Sequence, residues 1–260
     1  MTKEISNLAD LSPFVCIDPI VERIFYIGNA ELLHSKLKIA IIGSRSPNQY
    51  AKNYTAQISQ KLSALGAVIV SGGALGIDII AHKFAQKTIM VSPSSPDIIY
   101  PQTNAKEIEN IAENGLIISE YKANYRPHKV SFLSRNRIII DLSDIVIIPQ
   151  ADLRSGSMSS ANLALKAKKP LFVLPHRINE SLGTNALLEK NLARGIYDLD
   201  NFVKELGLSA TKNESGTDEL LEFCKSSPSF EEAFLRFGDK LLEYELNGAI
   251  RRENGFVRLA

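Results

Sequence analysis

Residues 38–84 read KIAIIGSRSPNQYAKNYTAQISQKLSALGAVIVSGGALGIDIIAHKF and repeat one pattern twice. A short apolar run (39–43, then 68–71) is followed by a turn rich in glycine and serine, and then by a segment with helical spacing (50–65, then 77–85). The apolar runs are continuous rather than alternating in polarity, which is typical of strands covered on both faces. Strand and helix in regular succession indicate a parallel sheet.

The same alternation continues to about residue 206. Apolar runs recur at 88–91, 116–119, 145–149 and 171–174, and helical segments at 105–114, 134–142, 158–167 and 185–193. We therefore predict an α/β fold with an extended Rossmann-like, doubly wound and mostly parallel sheet. Such sheets bind ligands at the carboxyl ends of their strands, so functional residues are expected in the loops that follow the strands.

The composition divides the chain into four segments. Residues 1–37 form a short N-terminal extension, 38–206 the Rossmann-like domain, and 207–217 (GLSATKNESGT) a small, polar linker. Residues 218–260 contain three short amphipathic segments (219–226, 229–237 and 240–247) and a hairpin around Asn254-Gly255. Three helices and a hairpin in so short a segment predict a winged-helix-like C-terminal domain.

Two loops that follow neighbouring strands have the composition of a phosphate site. Gly43, Ser44 and Arg45 follow the first strand, and Gly72 and Gly73 follow the second. Glycine lets the backbone approach a ligand closely, N–H groups at a helix start attract anions, and a guanidinium matches a phosphate. The alternative is that the glycines serve only tight turns between strand and helix. The spacing fits neither the dinucleotide fingerprint nor a Walker A loop.

Asp78 and His82 stand four residues apart and therefore share one face of the following helix. The spacing would suit a catalytic or metal pair, but we favour a charge at the helix N-terminus and a packed, hydrogen-bonding histidine. Another helix start rich in serine and glycine follows a later strand: Arg154-Ser155-Gly156-Ser157. Its N–H groups would lie at the same carboxyl edge of the sheet as the two glycine-containing loops, with simple helix capping as the alternative.

The segment 121–137 combines positive charge with aromatic rings. Tyr121, Tyr125 and Phe132 are interleaved with five basic residues and no acidic one. Those basic residues are Lys122, Arg126, Lys129, Arg135 and Arg137. Cations follow a phosphate backbone, and an aromatic ring stacks on any base, so the pattern is typical of single-strand binding. A solvated basic loop with Phe132 in the core fits these residues equally well.

The whole chain is nearly neutral, with 30 Lys and Arg against 29 Asp and Glu. With 45% hydrophobic and 23% charged residues, it is neither an acidic disordered chain nor a strongly basic nucleic-acid coat. The charge is unevenly distributed, because residues 38–206 carry 20 basic and 14 acidic side chains, whereas 1–37 and 215–260 are both net acidic. The neutral total therefore combines a moderately basic Rossmann-like domain with two acidic flanks.

Other classes of protein are disfavoured by what the sequence lacks. Its apolar runs are shorter than the roughly 18 residues of a membrane span, and its first residues do not resemble a signal peptide. Cys16 and Cys224 are far apart and are expected to be reduced, so we expect a cytoplasmic protein. The sequence offers no nucleophile–base pair, paired carboxylates or metal-ligand spacing, so we expect no catalytic residue, no metal and no cofactor.

Taken in order, the motifs resemble those of the DprA/Smf family, the DNA-processing protein A of natural transformation. The matching residues are Ile42-Gly43-Ser44-Arg45, Ser71-Gly72, Ala74, Gly76-Ile77-Asp78, Ala81-His82, Tyr100-Pro101, Asn104, Ser119-Glu120-Tyr121, Phe132, Arg135-Asn136-Arg137-Ile138-Ile139, Arg154-Ser155-Gly156-Ser157 and Gly183-Thr184-Asn185. Each motif is weak alone, whereas the ordered set, which covers about residues 24–206, is specific.

The resemblance implies a homodimeric protein that binds and protects incoming single-stranded DNA and helps to load the RecA recombinase. It implies a basic contact from Lys129 and base stacking by Phe132. The full set of DNA-binding candidates is Gly43, Ser44, Arg45, Gly72, Gly73, Lys129, Phe132, Arg135, Asn136, Arg137, Arg154, Ser155, Gly156 and Ser157. For Arg135 and Arg137, the alternative is that one of them forms a structural salt bridge. The family dimerises through the late part of this domain, where the candidates are Leu187, Leu188, Leu192 and Ile196, with core packing as their alternative.

The C-terminal segment resembles the winged-helix domain of some family members. Its net charge of −3 over 215–260 favours contact with a further protein, or an auxiliary role, over DNA binding. Arg251, Arg252 and Arg258 on the hairpin are the candidates for a DNA patch.

The sequence also departs from the family pattern. Leu75 stands where many members carry Arg, and Ser94 and Ser95 replace a glycine-rich turn. A helical domain that precedes the Rossmann-like domain in many members is missing or reduced to residues 1–37. The alternative function is that of a nucleotide-binding enzyme similar to nucleotide phosphoribohydrolases, but residues 154–161 lack the glutamate of that pattern. A transcription regulator is disfavoured by the acidity of the C-terminal domain.

Overall fold

The computed structural model describes residues 2–5, 21, 23–208, 219–246 and 248–259. Within them the chain forms two compact units, Met1–Ser209 and Ala210–Ala260. The predicted linker lies outside the described residues from 209 onward, as does Cys16.

The first unit is built on one sheet, which has nine strands within the described residues. The strands are β1 (Lys3–Ile5), β2 (Ile24–Gly28), β3 (Lys38–Ile41), β4 (Val68–Ser71), β5 (Thr88–Val91), β6 (Leu116–Ser119), β7 (Ile145–Ile148), β8 (Leu171–Val173) and β9 (Arg194–Gly195). Their order is β1-β2-β6-β5-β4-β3-β7-β8-β9. All pairs are parallel except β1 with β2 and β2 with β6. The predicted doubly wound, mostly parallel α/β fold is confirmed.

Seven α-helices accompany these strands in the described part of the first unit, and the last of them follows β9. They are α1 (Gln49–Ala64), α2 (Ile77–Lys83), α3 (Ala105–Asn114), α4 (Lys129–Leu142), α5 (Gly156–Lys166), α6 (Leu182–Glu189) and α7 (Leu199–Glu205). Short 3-10 helices occupy Ala30–His34 and Gln102–Asn104.

The continuous apolar strands are explained by a hydrophobic core on each face of the sheet. Ile39 and Ile41 of β3 pack with α1, α2 and α7, whereas Ala40 points to the opposite face and packs with α4, α5 and α6. Successive side chains of a strand point to opposite faces, so a strand buried on both faces is apolar at every position.

The observed elements differ from the predicted ones in two ways that matter for function. Strands β1 and β2 lie in the predicted N-terminal extension, yet they pair onto β6 and lengthen the sheet. Helix α4 begins at Lys129 rather than at residue 134, because His128 caps it: its N–H donates to Ser131 Oγ at 2.9 Å, and that hydroxyl donates to the His128 carbonyl at 2.8 Å. The second half of the predicted basic loop is therefore helical.

The strand order reverses direction between β3 and β7. From β3 the chain proceeds through β4, β5 and β6 on one side, and through β7, β8 and β9 on the other. The loops after β3 and β7 therefore diverge from neighbouring strand ends. Ligands of doubly wound sheets bind in the crevice at this switch point.

The second unit contains α8 (Glu219–Cys224), α9 (Phe230–Phe237) and α10 (Asp239–Leu246), followed by the antiparallel pair β10 (Ile250–Glu253) and β11 (Phe256–Leu259). Asn254 and Gly255 both have positive φ, as the hairpin turn requires. Its core residues include Leu220, Cys224 and Val257. In the described part of the chain no helix is long and apolar enough to cross a membrane.

Candidate nucleic-acid interface

A cleft of about 760 Å³ lies at the switch point of the sheet. The loops after β3, β4 and β7 and the first turns of α4 and α5 form its walls. We call it the rim cleft. Its lining includes Gly43, Ser44, Arg45, Asp78, Tyr100, Lys129, Phe132, Leu133, Arg135, Asn136, Asp152, Ser155, Gly156 and Ser157. Most of the predicted DNA-binding residues are therefore brought together, whereas Gly72, Gly73, Arg137 and Arg154 lie outside this lining.

Helix α4 contributes one continuous face to the rim cleft. Lys129, Phe132, Leu133 and Asn136 all line it, and their spacing of i, i+3, i+4 and i+7 places them on one side of a helix. Lys129 is exposed at the first turn and Phe132 is half-buried one turn further on. The helix thus presents a cation beside an aromatic ring.

The Phe132 ring is at the centre of an aromatic and cationic cluster. The Arg45 guanidinium lies 5.4 Å from the centroid of the ring, within cation–π range. The Tyr100 ring packs against the same side chain with centroids 5.6 Å apart. Tyr100 was matched only as a family motif in the sequence, and the structure adds it to the cleft.

The first turn of helix α5 forms the opposite wall of the rim cleft. Ser155 is its N-cap, since its hydroxyl accepts a hydrogen bond from the Met158 N–H at 3.3 Å. Gly156 and Ser157 form the first turn, where backbone N–H groups without helical partners favour an anion. Arg154 is exposed just before the cap, and the acidic Asp152 lines the cleft next to it.

The glycine-rich turns serve an internal anion. The buried Asp78 carboxylate accepts a hydrogen bond from the Gly43 N–H at 3.4 Å and further bonds from the N–H groups of Gly72 and Ala74. Burial raises the pKa of Asp78, while Arg135 and these three N–H groups oppose that rise. Within the fold, the N–H groups of Gly43 and Gly72 therefore donate to Asp78, whereas the composition of these loops suggested a phosphate as their partner.

Gly73 is also used inside the fold. It is buried with a φ of 66°, and its carbonyl accepts a hydrogen bond from Asn104 Nδ2 at 3.0 Å. A Cβ at this position would collide with the Met90 side chain. Its backbone conformation and its packing both require glycine.

Arg135 is a structural residue rather than an exposed cation. Its side chain is only 4% exposed and donates from Nη1 to the Val91 carbonyl at 2.8 Å and from Nε to Asn136 Oδ1 at 3.1 Å. It is also electrostatically paired with Asp78. A Cβ on Gly72 would overlap its guanidinium, which explains the glycine there.

Arg137 is likewise engaged within the protein. Its Nη2 donates to Glu120 Oε2 at 2.5 Å, and both side chains are largely buried. Of the five basic residues in the predicted basic segment, Lys122, Arg126 and Lys129 remain exposed. Direct contact of Arg135 or Arg137 with DNA is therefore disfavoured by their burial.

His82 is packed and hydrogen-bonded, as its favoured interpretation required. Its Nδ1 is 2.6 Å from the Thr88 hydroxyl, and its side chain is buried. Burial, with Arg135 nearby, lowers its pKa to about 3, so the imidazole is neutral. Among the described residues, no group of three or more His, Cys, Asp or Glu side chains is arranged to hold a metal ion.

The four dimer candidates have different environments. Leu187 and Ile196 are buried in the cores on opposite faces of the sheet, and Leu188 is partly buried against one of them. Only Leu192 of the four is well exposed, at 44%. The alternative of core packing therefore holds for Leu187 and Ile196, which cannot reach a second subunit without opening the core.

The departures from the family pattern have local consequences. Leu75 is exposed on the turn after β4. Ser94 and Ser95 are fully buried, and the Ser95 N–H donates to the Tyr125 carbonyl at 3.0 Å. The serines therefore tie the loop after β5 to the basic segment.

The fold and the rim cleft define a class: a Rossmann-type α/β protein whose site combines exposed cations, an aromatic ring and helix N-termini at the switch point. The chain belongs to the DNA recombination-mediator protein A family, whose model matches residues 14–207.

Three similar proteins illustrate the relationship. Protein Smf of Synechocystis is 37% identical over 207 residues, which are 76% of this chain and 52% of that protein. DNA processing protein A of Helicobacter pylori, solved for its mode of binding single-stranded DNA, is 53% identical with a TM-score of 0.75, over 79% of this chain and 95% of that one. DprA of Streptococcus pneumoniae is 32% identical with a TM-score of 0.72, over 78% and 74% of the two chains. This chain thus spans about half the length of the Synechocystis relative.

Proposed function

We propose that this protein binds single-stranded DNA in the rim cleft and acts as a recombination mediator of natural transformation. One observation carries the proposal: Arg45 and Lys129, both exposed, flank the half-buried Phe132 ring within one cleft. Cations that follow the phosphates and a ring that stacks on a base are the two elements of sequence-independent single-strand binding. The single-stranded DNA bound by the Helicobacter pylori relative supports the same ligand class here.

The proposal predicts a defined dependence on salt. If Arg45, Lys129 and Arg154 each neutralise one phosphate, affinity for oligo-dT should fall about twenty-fold between about 50 and 200 mM salt. Replacing Arg45 or Lys129 with Ala should weaken binding to all sequences alike and reduce the slope of log affinity against log salt by about 0.7. Fluorescence anisotropy with labelled oligo-dT measures both quantities.

Lys87→Ala is the matched control for this experiment. Lys87 is exposed but precedes β5, at the end of the sheet opposite to the rim cleft. It should leave affinity and slope unchanged. Unaltered oligo-dT affinity in both Arg45→Ala and Lys129→Ala would refute the assignment of the rim cleft.

We further propose that the protein is a binding protein rather than an enzyme. The loop at the start of α5 offers serine hydroxyls and N–H groups, and the phosphoribohydrolase-like alternative needs a glutamate there that residues 154–161 lack. We expect no release of adenine from AMP by the purified chain under conditions where it binds oligo-dT. Release that is abolished by Ser155→Ala would favour the enzyme instead.

The assembly of the protein is also part of the proposal. We propose a cytoplasmic homodimer that delivers its bound strand to RecA, with the exposed Leu192 and the partly buried Leu188 as the remaining candidates for the dimer surface. We also propose that residues 38–206, together with the two N-terminal strands, form the DNA-binding body, and that 218–260 form an auxiliary, winged-helix-like module that contacts a further protein. The net acidity of that module and the pairing of Arg252 with Glu245 and of Arg258 with Glu253 support this role over DNA binding.

A further inference from the structure

A second cleft, of about 590 Å³, opens beside the rim cleft. It lies between the first turn of α1 and the loop that follows β8. Its lining residues are Asn48, Gln49, Tyr50, Pro175, His176, Arg177 and Glu180. We call it the Tyr50 cleft. None of these residues belongs to the sequence motifs of the rim cleft.

The wall of the Tyr50 cleft formed by α1 is aromatic. Tyr50 and Tyr54 are one helical turn apart, with ring centroids separated by 4.9 Å. Tyr50 is 38% exposed and Tyr54 is exposed to a similar degree. Exposed rings that project from one helix face provide a stacking surface for a base, the role proposed for Phe132 in the rim cleft.

His176 holds Tyr50 in place and has unused hydrogen-bonding capacity. Its ring packs edge-on against Tyr50, with centroids 5.3 Å apart, and its Nε2 is 2.8 Å from the Pro149 carbonyl. Because a carbonyl only accepts, Nε2 is the donor in this hydrogen bond, and Nδ1 is the other ring nitrogen. That Nδ1 is buried, has no hydrogen-bond partner among the described residues and lies 3.9 Å from Glu180 Oε2. The His176 side chain is fully buried, so it supports Tyr50 from within the fold and leaves the Tyr50 ring as the exposed surface.

The two clefts are lined by neighbouring residues of the same loop. Ser46 lines the rim cleft and Asn48 lines the Tyr50 cleft, so their Cα atoms are at most about 7.6 Å apart. Gln150 fixes the loop between them, since its carbonyl accepts from the Ser44 N–H and its Oε1 accepts from the Asn48 N–H, both at 2.8 Å. A DNA strand that leaves the rim cleft over this loop therefore reaches the Tyr50 cleft within a length of about one nucleotide.

Arg177 is the cation at this second position. It is exposed on the loop after β8, at the same carboxyl end of the sheet as Arg45. Glu180 is the acidic residue in the lining, and its carboxylate is next to His176. The cleft is thus close to neutral, so we expect stacking to contribute more of the affinity here than charge.

We propose that the Tyr50 cleft is a second nucleotide subsite, in which a base of the same single strand stacks on Tyr50 while its phosphate lies against Arg177. This inference rests on the proposed binding of single-stranded DNA to the rim cleft. It extends the DNA path from the β3 and β7 loops to the β8 loop.

The test compares oligo-dT strands of about four and about twelve nucleotides on the full chain. Tyr50→Ala should weaken binding of the longer strand about tenfold and leave the shorter strand unaffected. Arg177→Ala should reduce the salt slope of the longer strand by about 0.7. Phe84→Ala, which removes a ring that is 40% exposed at the far end of α2, should change neither.

The two proposals fail in different ways. If the wild-type chain binds neither strand, the proposed function fails. If Arg45→Ala weakens both strands while Tyr50→Ala and Arg177→Ala bind the longer strand like wild type, the second subsite is overturned and the rim cleft stands. Photocrosslinking of the wild-type chain to a strand containing iodouracil avoids any effect of substitution on folding. Crosslinks at Tyr50 as well as Phe132 support the subsite, and crosslinks at Phe132 without any at Tyr50 refute it.

Discussion

Replacing Arg135 with methionine should lower the free energy of unfolding by about 3–5 kcal/mol. The substitution keeps the length of the side chain but removes a buried guanidinium that interacts electrostatically with Asp78 and donates to the Val91 carbonyl. It leaves the Asp78 carboxylate buried without a counter-charge. Urea unfolding of the full chain, followed by circular dichroism, measures the loss. Arg154→Met, at an exposed arginine on the rim, is the matched control and should stay within about 0.5 kcal/mol of wild type.

The pH dependence of this loss follows from the Asp78 pKa. Burial already raises it above its ordinary value of 3.8, and Arg135 opposes the rise, so Arg135→Met raises it further. A carboxyl whose pKa is raised in the folded state contributes stability below its unfolded pKa and loses that contribution as the pH rises through the folded value. The deficit of the variant relative to wild type should therefore be smallest near pH 4 and grow toward neutral pH.

A double substitution separates the electrostatic interaction of Arg135 with Asp78 from simple packing. Adding Asp78→Asn to Arg135→Met removes the unpaired charge while the amide oxygen still accepts from the loop N–H groups. The double variant should be more stable than the sum of the two single losses predicts. Additive losses would show that the two side chains do not interact and would contradict the internal pair.

The parallel sheet was predictable because burial on both faces leaves a direct mark on the sequence. Strands β3 to β8 are apolar at nearly every position, and no other arrangement accounts for six such short runs between helices. Strands β1, β2 and β9 lack that mark. β2 is half-buried and antiparallel, and β9 has two residues, so their pairing depends on tertiary contacts that a local pattern does not encode.

The sequence predicted most of the residues that line the rim cleft, but not the partners of their backbone N–H groups. A glycine-rich turn indicates that N–H groups are close to a helix start, but not which anion they serve. The motif itself contains Asp78, whose carboxylate takes the N–H groups of Gly43 and Gly72. An acidic residue within the same turn was the signal that a phosphate is not needed there.

Charge alone also failed to separate the ligand-facing cations from the structural ones. Lys129, Arg135 and Arg137 are equal members of a basic segment, yet only Lys129 is exposed to the cleft. Pro127 and Ser131 were the signals for an N-cap at His128. With the start of the helix known, the positions that share one helix face would have been known as well. Positions 129, 132, 133 and 136 then share a face, whereas Arg135 is buried at the base of the cleft and Arg137 is paired with Glu120.

Replacing Phe132 with Ala should weaken oligo-dT binding by about 1–3 kcal/mol, the cost of losing one base stack. Phe132→Leu is the matched variant, because it keeps an apolar side chain of similar size and removes the π face. We expect it to fold like wild type and to lose most of the same affinity. Both are measured by anisotropy at fixed salt, with Phe84→Ala as the control for loss of an exposed ring elsewhere. A folded Phe132→Leu variant with wild-type affinity would leave Phe132 as a packing residue.

The contact between Arg45 and Phe132 makes the two substitutions non-additive. The guanidinium lies 5.4 Å from the ring centroid, so removing the ring also frees the cation that it orients. A double-mutant cycle of Arg45→Ala and Phe132→Leu should give a coupling energy of at least about 0.5 kcal/mol. Arg45 would then contribute in two ways, by neutralising a phosphate and by holding the ring against Tyr100. The first effect weakens as salt rises and the second does not, so the coupling energy should persist at high salt while the phosphate contribution of Arg45 declines.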